Sequence, residues 1–121
     1  MAPKAKTSNV TMKKPVGFSL AAASDFYRGF TPGSGMAAAS ASGTELTLAF
    51  RLDKTFDAVA ARLREIGDEL RVDVAGSDDA GAVVKQVARM LGLDVDGNAW
   101  LDVGKRDPVV GALQKEFAGF F

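Results

Sequence analysis

Large apolar side chains recur at every second position along Glu45-Leu-Thr-Leu-Ala-Phe-Arg-Leu52, and this alternation is the clearest indication of the fold class. In a β-strand such alternation places one set of side chains on each face. The set expected to be buried is Leu46, Leu48, Phe50 and Leu52. The stretch therefore predicts a half-buried strand.

A second strand is predicted downstream, where apolar and charged residues alternate over 70–74. A hairpin turning at Ile66 to Glu69, through Gly67-Asp68, would join it to the segment before it. That segment, Phe56 to Ile66, fits both the helical and the strand period. Periodicity alone leaves its structure open.

Two helices are indicated in the C-terminal half by their ends. Ser77 is placed to cap a helix of about fifteen residues that stops at Gly92, with two aspartates at its positive end. Asp107 before Pro108 marks the start of a last helix. The apolar stripes are Val83, Val84, Val87 and Leu91 in the first helix and Val109, Val110, Leu113 and Phe117 in the second.

The N-terminal half is patterned less clearly. Phe18 to Ala22 is typical of a strand-like apolar run, and Ser24 is placed to cap a short helix after it. Pro32 and Gly33 would end that helix, and the stretches 33–36 and 39–43 are predicted loops. The aromatic residues of the helix are expected in the core; they are Phe26, Tyr27 and Phe30.

Composition excludes several function classes. The chain has 121 residues and a mass of 12.7 kDa, which suits one domain, and it contains no Cys and no His. Thiolate zinc sites, thiol nucleophiles and histidine general bases are therefore excluded. No apolar run reaches the roughly 18 residues of a spanning helix, so we expect a cytoplasmic protein with no membrane partner.

Charge is unevenly distributed along the chain. Fifteen basic and fifteen acidic residues balance overall, but residues 1–16 carry four lysines and no acid. We expect 1–16 to be a flexible basic tail, since its composition has little to bury. The tail either contacts DNA phosphates weakly or only aids solubility, and its candidate contacts are Lys4, Lys6, Lys13 and Lys14.

No catalytic, cofactor or metal residue is predicted. The carboxylate pairs Asp68/Glu69 and Asp78/Asp79 are typical of a solvated turn and a helix start. The spacing of Asp94, Asp96 and Asn98 is that of half a calcium loop, but the glycine and the final acid that such a loop requires are missing. We interpret this segment as a capped turn after a helix.

Two runs in the second half resemble a known family. They are Gln86-Val-Ala-Arg-Met-Leu-Gly-Leu-Asp94-Val-Asp96-Gly97 and Val103-Gly-Lys-Arg-Asp107-Pro-Val-Val-Gly-Ala-Leu-Gln114-Lys-Glu-Phe117-Ala-Gly119. Both look like the N-terminal region of bacterial DNA-3-methyladenine glycosylase II-like proteins, which are helix-hairpin-helix glycosylases. The weaker part of the resemblance includes Phe18 to Pro32 and Thr44 to Leu52, so that it extends over about 17–119.

The resemblance implies an α+β fold, a small antiparallel sheet backed by helices that is similar to the TATA-binding protein. It also favours a strand over Val59 to Arg64. The family's helix-hairpin-helix and its catalytic Asp would lie after Phe121, so no residue of this sequence matches them. Base flipping also requires a pocket that is formed largely by that domain.

These expectations define a domain organisation and a function. Residues 17–98 would form the α+β N-terminal glycosylase-type domain, and 99–121 a linker and helix leading towards a catalytic domain. The chain would be a non-catalytic part of a base-excision DNA repair protein that supports its catalytic domain and needs no cofactor. The alternative is a stand-alone α+β module that binds a protein partner or a small ligand, with Phe117, Phe120 and Phe121 docking on it.

Overall fold

The computed structural model describes residues 7–29, 37–39 and 44–118. They form five strands and four helices, which makes the fold α+β, as predicted. The strands are β1 (Thr7–Lys13), β2 (Ala37–Ala39), β3 (Glu45–Arg51), β4 (Ala58–Ile66) and β5 (Glu69–Ala75). The helices are α1 (Leu20–Gly29), α2 (Ala80–Leu91), α3 (Asn98–Arg106) and α4 (Pro108–Glu116). The closer likeness to the TATA-binding protein stays a prediction.

The strands form one antiparallel sheet in the order β1-β5-β4-β3-β2. The strand predicted at 45–52 is β3, and the ambiguous segment before the hairpin is β4. The predicted hairpin joins β4 to β5 through a two-residue turn in which Gly67 has a φ of +64°. Strands 3 to 5 are thus a local meander, and β1 joins it from the other end of the sequence.

One face of the sheet forms the core. The alternating residues of β3, β4 and β5 point inward, and α1 and α2 cover them. The fully buried strand residues are Leu46, Leu48, Ala61, Leu63, Leu70, Val72 and Val74, and α2 adds Val83 and Val87. We call the opposite side of the sheet the outer face. The loop predicted at 33–36 falls outside the described residues, as do Phe30 and residues 40–43 of the loop predicted at 39–43, whose first residue, Ala39, ends β2.

The expectation of a flexible tail over 1–16 is wrong for most of its length. Thr7–Lys13 pairs with β5 along its whole length as the edge strand β1. Ser8, Val10 and Met12 are half-buried there and alternate with exposed residues. This alternation could have indicated a strand, but the segment is mostly polar and therefore gave only a weak pattern.

The run from Phe18 to Ala22 is not a strand either. Helix α1 already begins at Leu20, and the Ser19 hydroxyl accepts a hydrogen bond from the Ala22 amide at 3.2 Å. Ser24 is therefore not the cap but a fully buried residue within the helix. Phe26 is 48% exposed, so the aromatic cluster is only partly core.

The C-terminal helices follow their predicted ends with one change. Gly92 ends α2 in the left-handed conformation, but Asp79 and not Ser77 is its N-cap, accepting from the Ala82 amide at 3.0 Å. Asp107 caps α4 as expected. Helix α3 was not predicted; it occupies the first part of the 99–121 segment. None of the helices in the described residues is long and apolar enough to span a membrane.

Candidate functional site

Helices α3 and α4 form a tightly joined pair. Asp107 alone separates them, and its carboxylate accepts hydrogen bonds from the amides of Val109 and Val110 at 2.9 and 3.3 Å. The two backbones approach closely at Gly104 and Gly111, because a Cβ at Gly111 would overlap the Gly104 carbonyl oxygen. The two helices therefore hold each other in a fixed arrangement.

A side-chain hydrogen bond from Gln114 also joins α3 and α4. Gln114 of α4 donates its amide Nε2 to the backbone oxygen of Trp100 at 2.6 Å, and its side chain lies against Gly104. A larger residue at Gly104 would displace it. These contacts depend on the two glycines and on Gln114, to which the sequence analysis assigned no packing role.

One stripe of α4 is apolar and exposed. Val109 and Leu113 lie four residues apart on one side of α4, and Phe117, the C-cap residue, follows after another four. Their exposed fractions are 70%, 47% and 52%, and α4 has no buried residue. We call these three residues the α4 stripe. Contiguous exposed apolar surface of this kind usually marks an interaction site.

The outer face of the sheet carries a second distinctive cluster around Asp73. Its carboxylate accepts hydrogen bonds from Asn9 Nδ2 at 2.6 Å, Arg62 Nη2 at 3.0 Å and Arg64 Nη2 at 3.1 Å. The Arg62 hydrogen bond is the main cause that holds the pKa of Asp73 below its ordinary value, with help from the Arg64 charge and against desolvation. Asp73 therefore stays ionised and ties β1, β5 and β4 together.

A polar cleft of about 890 Å³ lies between the β3–β4 loop and α2. Gln86 spans its floor, donating to the Arg51 carbonyl oxygen and accepting from the Asp53 amide, both at 3.0 Å. Arg89 pairs with the Asp53 carboxylate at 2.5 Å. These groups satisfy one another, so they serve to hold the loop on the helix.

The four lysines predicted to contact DNA have different environments. Lys4 and Lys6 lie outside the described residues, and Lys13 is exposed on the outer face at the end of β1. Lys14 instead forms an ion pair with Glu65, whose other oxygen accepts from the Leu20 amide at 3.4 Å at the start of α1. Lys14 is thus engaged in joining β1, β4 and α1.

The carboxylates considered for chemistry have structural roles or exposed positions. Asp68 lies in the β4–β5 turn, where its backbone oxygen accepts from the Lys14 amide at 2.7 Å, and Asp79 caps α2. Asp96 accepts from the Asn98 amide at 2.9 Å just before α3, as in a capped turn. Among the residues that the structure describes, no group of three acidic, histidine or cysteine side chains is placed to hold a metal.

Comparison with known proteins identifies no relative. No family model matches the chain, no curated protein is similar to it, and no solved structure resembles its fold closely enough to count as a match.

Proposed function

We propose that this chain is the non-catalytic N-terminal domain of a base-excision DNA repair glycosylase that acts on alkylated bases, and that the α4 stripe docks its catalytic domain. The exposed stripe is the observation that carries the proposal. The sequence resemblance over 86–119, which includes both α3 and α4, supplies the identity of the docked domain. Its role would be to support the catalytic domain, which would contribute the base pocket.

The energetics of the stripe are consistent with docking. Full burial of one Val, Leu or Phe side chain stabilises a protein by about 1.5–3 kcal/mol. The three stripe residues are each roughly half exposed or more, so covering them would contribute about 3 kcal/mol. Because α3 and α4 already hold each other through Asp107, the two glycines and Gln114, docking would not have to order one helix against the other.

The decisive test of identity is the coding sequence that follows codon 121. An in-frame continuation that encodes a helix-hairpin-helix motif and a downstream Asp is the expected result. A stop codon at that point would overturn the proposal and favour a stand-alone module that binds a protein through the same stripe. The 121-residue chain by itself should release no base from alkylated duplex DNA, and activity that survives repurification would also overturn it.

The docking role is tested on the chain itself. Leu113→Ser with Phe117→Ser should lower the binding of a hydrophobic dye and any self-association seen by light scattering, while circular dichroism stays unchanged. The control is Phe56→Ser with Ile66→Ser, which removes side chains of similar size and exposure, 68% and 50%, away from the stripe. An equal decrease in both variants would show that the stripe is not a distinct docking surface.

A further inference from the structure

The outer face differs in charge from the rest of the molecule. The described residues carry thirteen basic and fifteen acidic side chains in all. By strand register, the outer face holds five of the bases and three of the acids. Its bases are Lys13, Arg51, Arg62, Arg64 and Arg71, and its acids are Glu45, Glu69 and Asp73. A net positive face on an otherwise acidic body favours a negatively charged partner on that side.

Two arginines on this face are direct cross-strand neighbours. Arg64 of β4 pairs in register with Arg71 of β5, and like charges placed opposite each other destabilise a sheet. Asp73 compensates Arg64 and also binds Arg62, but no acid within the described part of the chain pairs with Arg71. The Nε atom of Arg64 is buried and finds no hydrogen-bond partner among the residues that the structure describes. Glu45 also lies 3.9 Å from Arg62, so Asp73 and Glu45 compensate Arg62 and Arg64, and the charge of this cluster that is left without an acid in the described ranges is that of Arg71.

The neighbouring side chains decide which kind of anion fits. Thr11 lies opposite Arg71 and Thr47 opposite Arg62, and their hydroxyls can donate further hydrogen bonds. No aromatic residue faces outward from the strands that the structure describes, so the face has no platform for unstacked bases and no aromatic anchor of the kind common in protein interfaces. Donors of this type, without stacking groups, suit the regular phosphates of a duplex.

We propose that the outer face binds the phosphate backbone of duplex DNA without reading its sequence, through Arg71 and Lys13 together with the Asp73-bound arginines. This inference goes beyond the proposed function, because it concerns the sheet and not the α4 stripe. It also differs from the sequence prediction, which placed DNA contacts in the tail. Its failure would leave the docking proposal untouched.

The test measures binding of the full chain to a fluorescent mixed-sequence duplex of about 16 base pairs as a function of salt. Lys13→Gln with Arg71→Gln removes two charges that hold no ion pair among the described residues. The double variant should bind about tenfold more weakly at low salt, and the slope of log affinity against log salt should become shallower by about 2. The control, Lys85→Gln with Lys115→Gln, removes two exposed charges from α2 and α4 and should change neither quantity by more than about twofold.

Several results would overturn the proposal. These are equal losses in the two double variants, no detectable binding at low salt, and complete loss of binding on Lys4→Gln with Lys6→Gln. A labelled polyglutamate chain that binds as tightly as the duplex would show that the face accepts any polyanion. Displacement of the duplex by inorganic phosphate beyond the effect of sodium chloride at equal ionic strength would indicate a single-anion site. Circular dichroism of every variant separates a loss of binding from a loss of fold.

Discussion

Replacing Gly76 by alanine should destabilise the sheet strongly, whereas the same change at Gly67 should be mild. Both glycines have positive φ, +93° at Gly76 and +64° at Gly67, and both flank β5. They differ in surroundings. A Cβ at Gly67 would meet nothing within 4 Å, while one at Gly76 would overlap the Ala58 carbonyl oxygen and lie 3.2 Å from Val59 Cα.

The magnitudes follow from these geometries. A left-handed conformation costs an alanine about 1–2 kcal/mol, and the reduced freedom of the unfolded chain returns about 0.4–1 kcal/mol. Gly67→Ala should therefore lower the free energy of unfolding by about 1 kcal/mol or less. At Gly76 a shift of the β4 backbone is needed as well, which adds about 1–3 kcal/mol by analogy with overpacking. We expect a total near 3 kcal/mol there.

Urea unfolding followed by far-ultraviolet circular dichroism measures both variants against the parent chain. In a thermal melt, about 4 °C per kcal/mol is expected at this size, so that Gly76→Ala should melt roughly 12 °C lower. A difference of less than about 1 kcal/mol between the two variants would refute the reasoning, because it would mean that the contact with Ala58 adds nothing to the effect of φ.

Three further changes test individual contacts. Asp73→Asn should lower the free energy of unfolding by about 1–3 kcal/mol at pH 7. Because the pKa of Asp73 in the folded protein lies below its ordinary 3.8, this loss of stability should persist above pH 3.8 and become smaller as the pH falls below it. A loss that grows on acidification would contradict this. Because Asp79 caps α2, Asp79→Ala should lower the free energy of unfolding in urea by about 1 kcal/mol, and Ser77→Ala should lower it clearly less. The reverse order would show that Ser77 is the cap. Ser24→Ala should raise the free energy of unfolding by about 1 kcal/mol, because the buried Ser24 hydroxyl makes no hydrogen bond within the described residues; a loss of stability would reveal a partner.

Sequence patterns predicted β3 and β5 because the residues of these two strands are strictly two-sided, whereas the segment that forms β4 fits both periods and was left open. Every second residue of β3 and β5 is apolar, and a glycine with positive φ marks the turn before β5. The same reasoning failed for Phe18 to Ala22, where a run of small apolar residues fits either period. The helix there is fixed by the Ser19 cap and by Glu65, which lies 45 residues away from Leu20 in sequence. Local periodicity contains no information about such a partner.

The candidate surfaces were predicted only in part. The sequence identified the residues of the α4 stripe but not their exposure, which depends on what packs against α4 in three dimensions. It singled out lysines of the tail and could not show that Lys14 is occupied by Glu65. The grouping of Arg62, Arg64 and Asp73 arises from the register between β4 and β5, and register becomes known only when both strands are in place.

The position of β1 at the edge next to β5 determines the order in which the sheet can assemble. The meander needs only short loops, whereas contacts of β1 such as that between Asn9 and Asp73 close a separation of 64 residues. Long-range pairings of this kind form late, since their loop entropy must be overcome first. During synthesis, β1 leaves the ribosome before β3, β4 and β5 and must wait for β5 before it can pair. Its amides should exchange with solvent deuterium sooner than those of β4, and a fusion partner placed at the N-terminus would act on the last strand to join the fold.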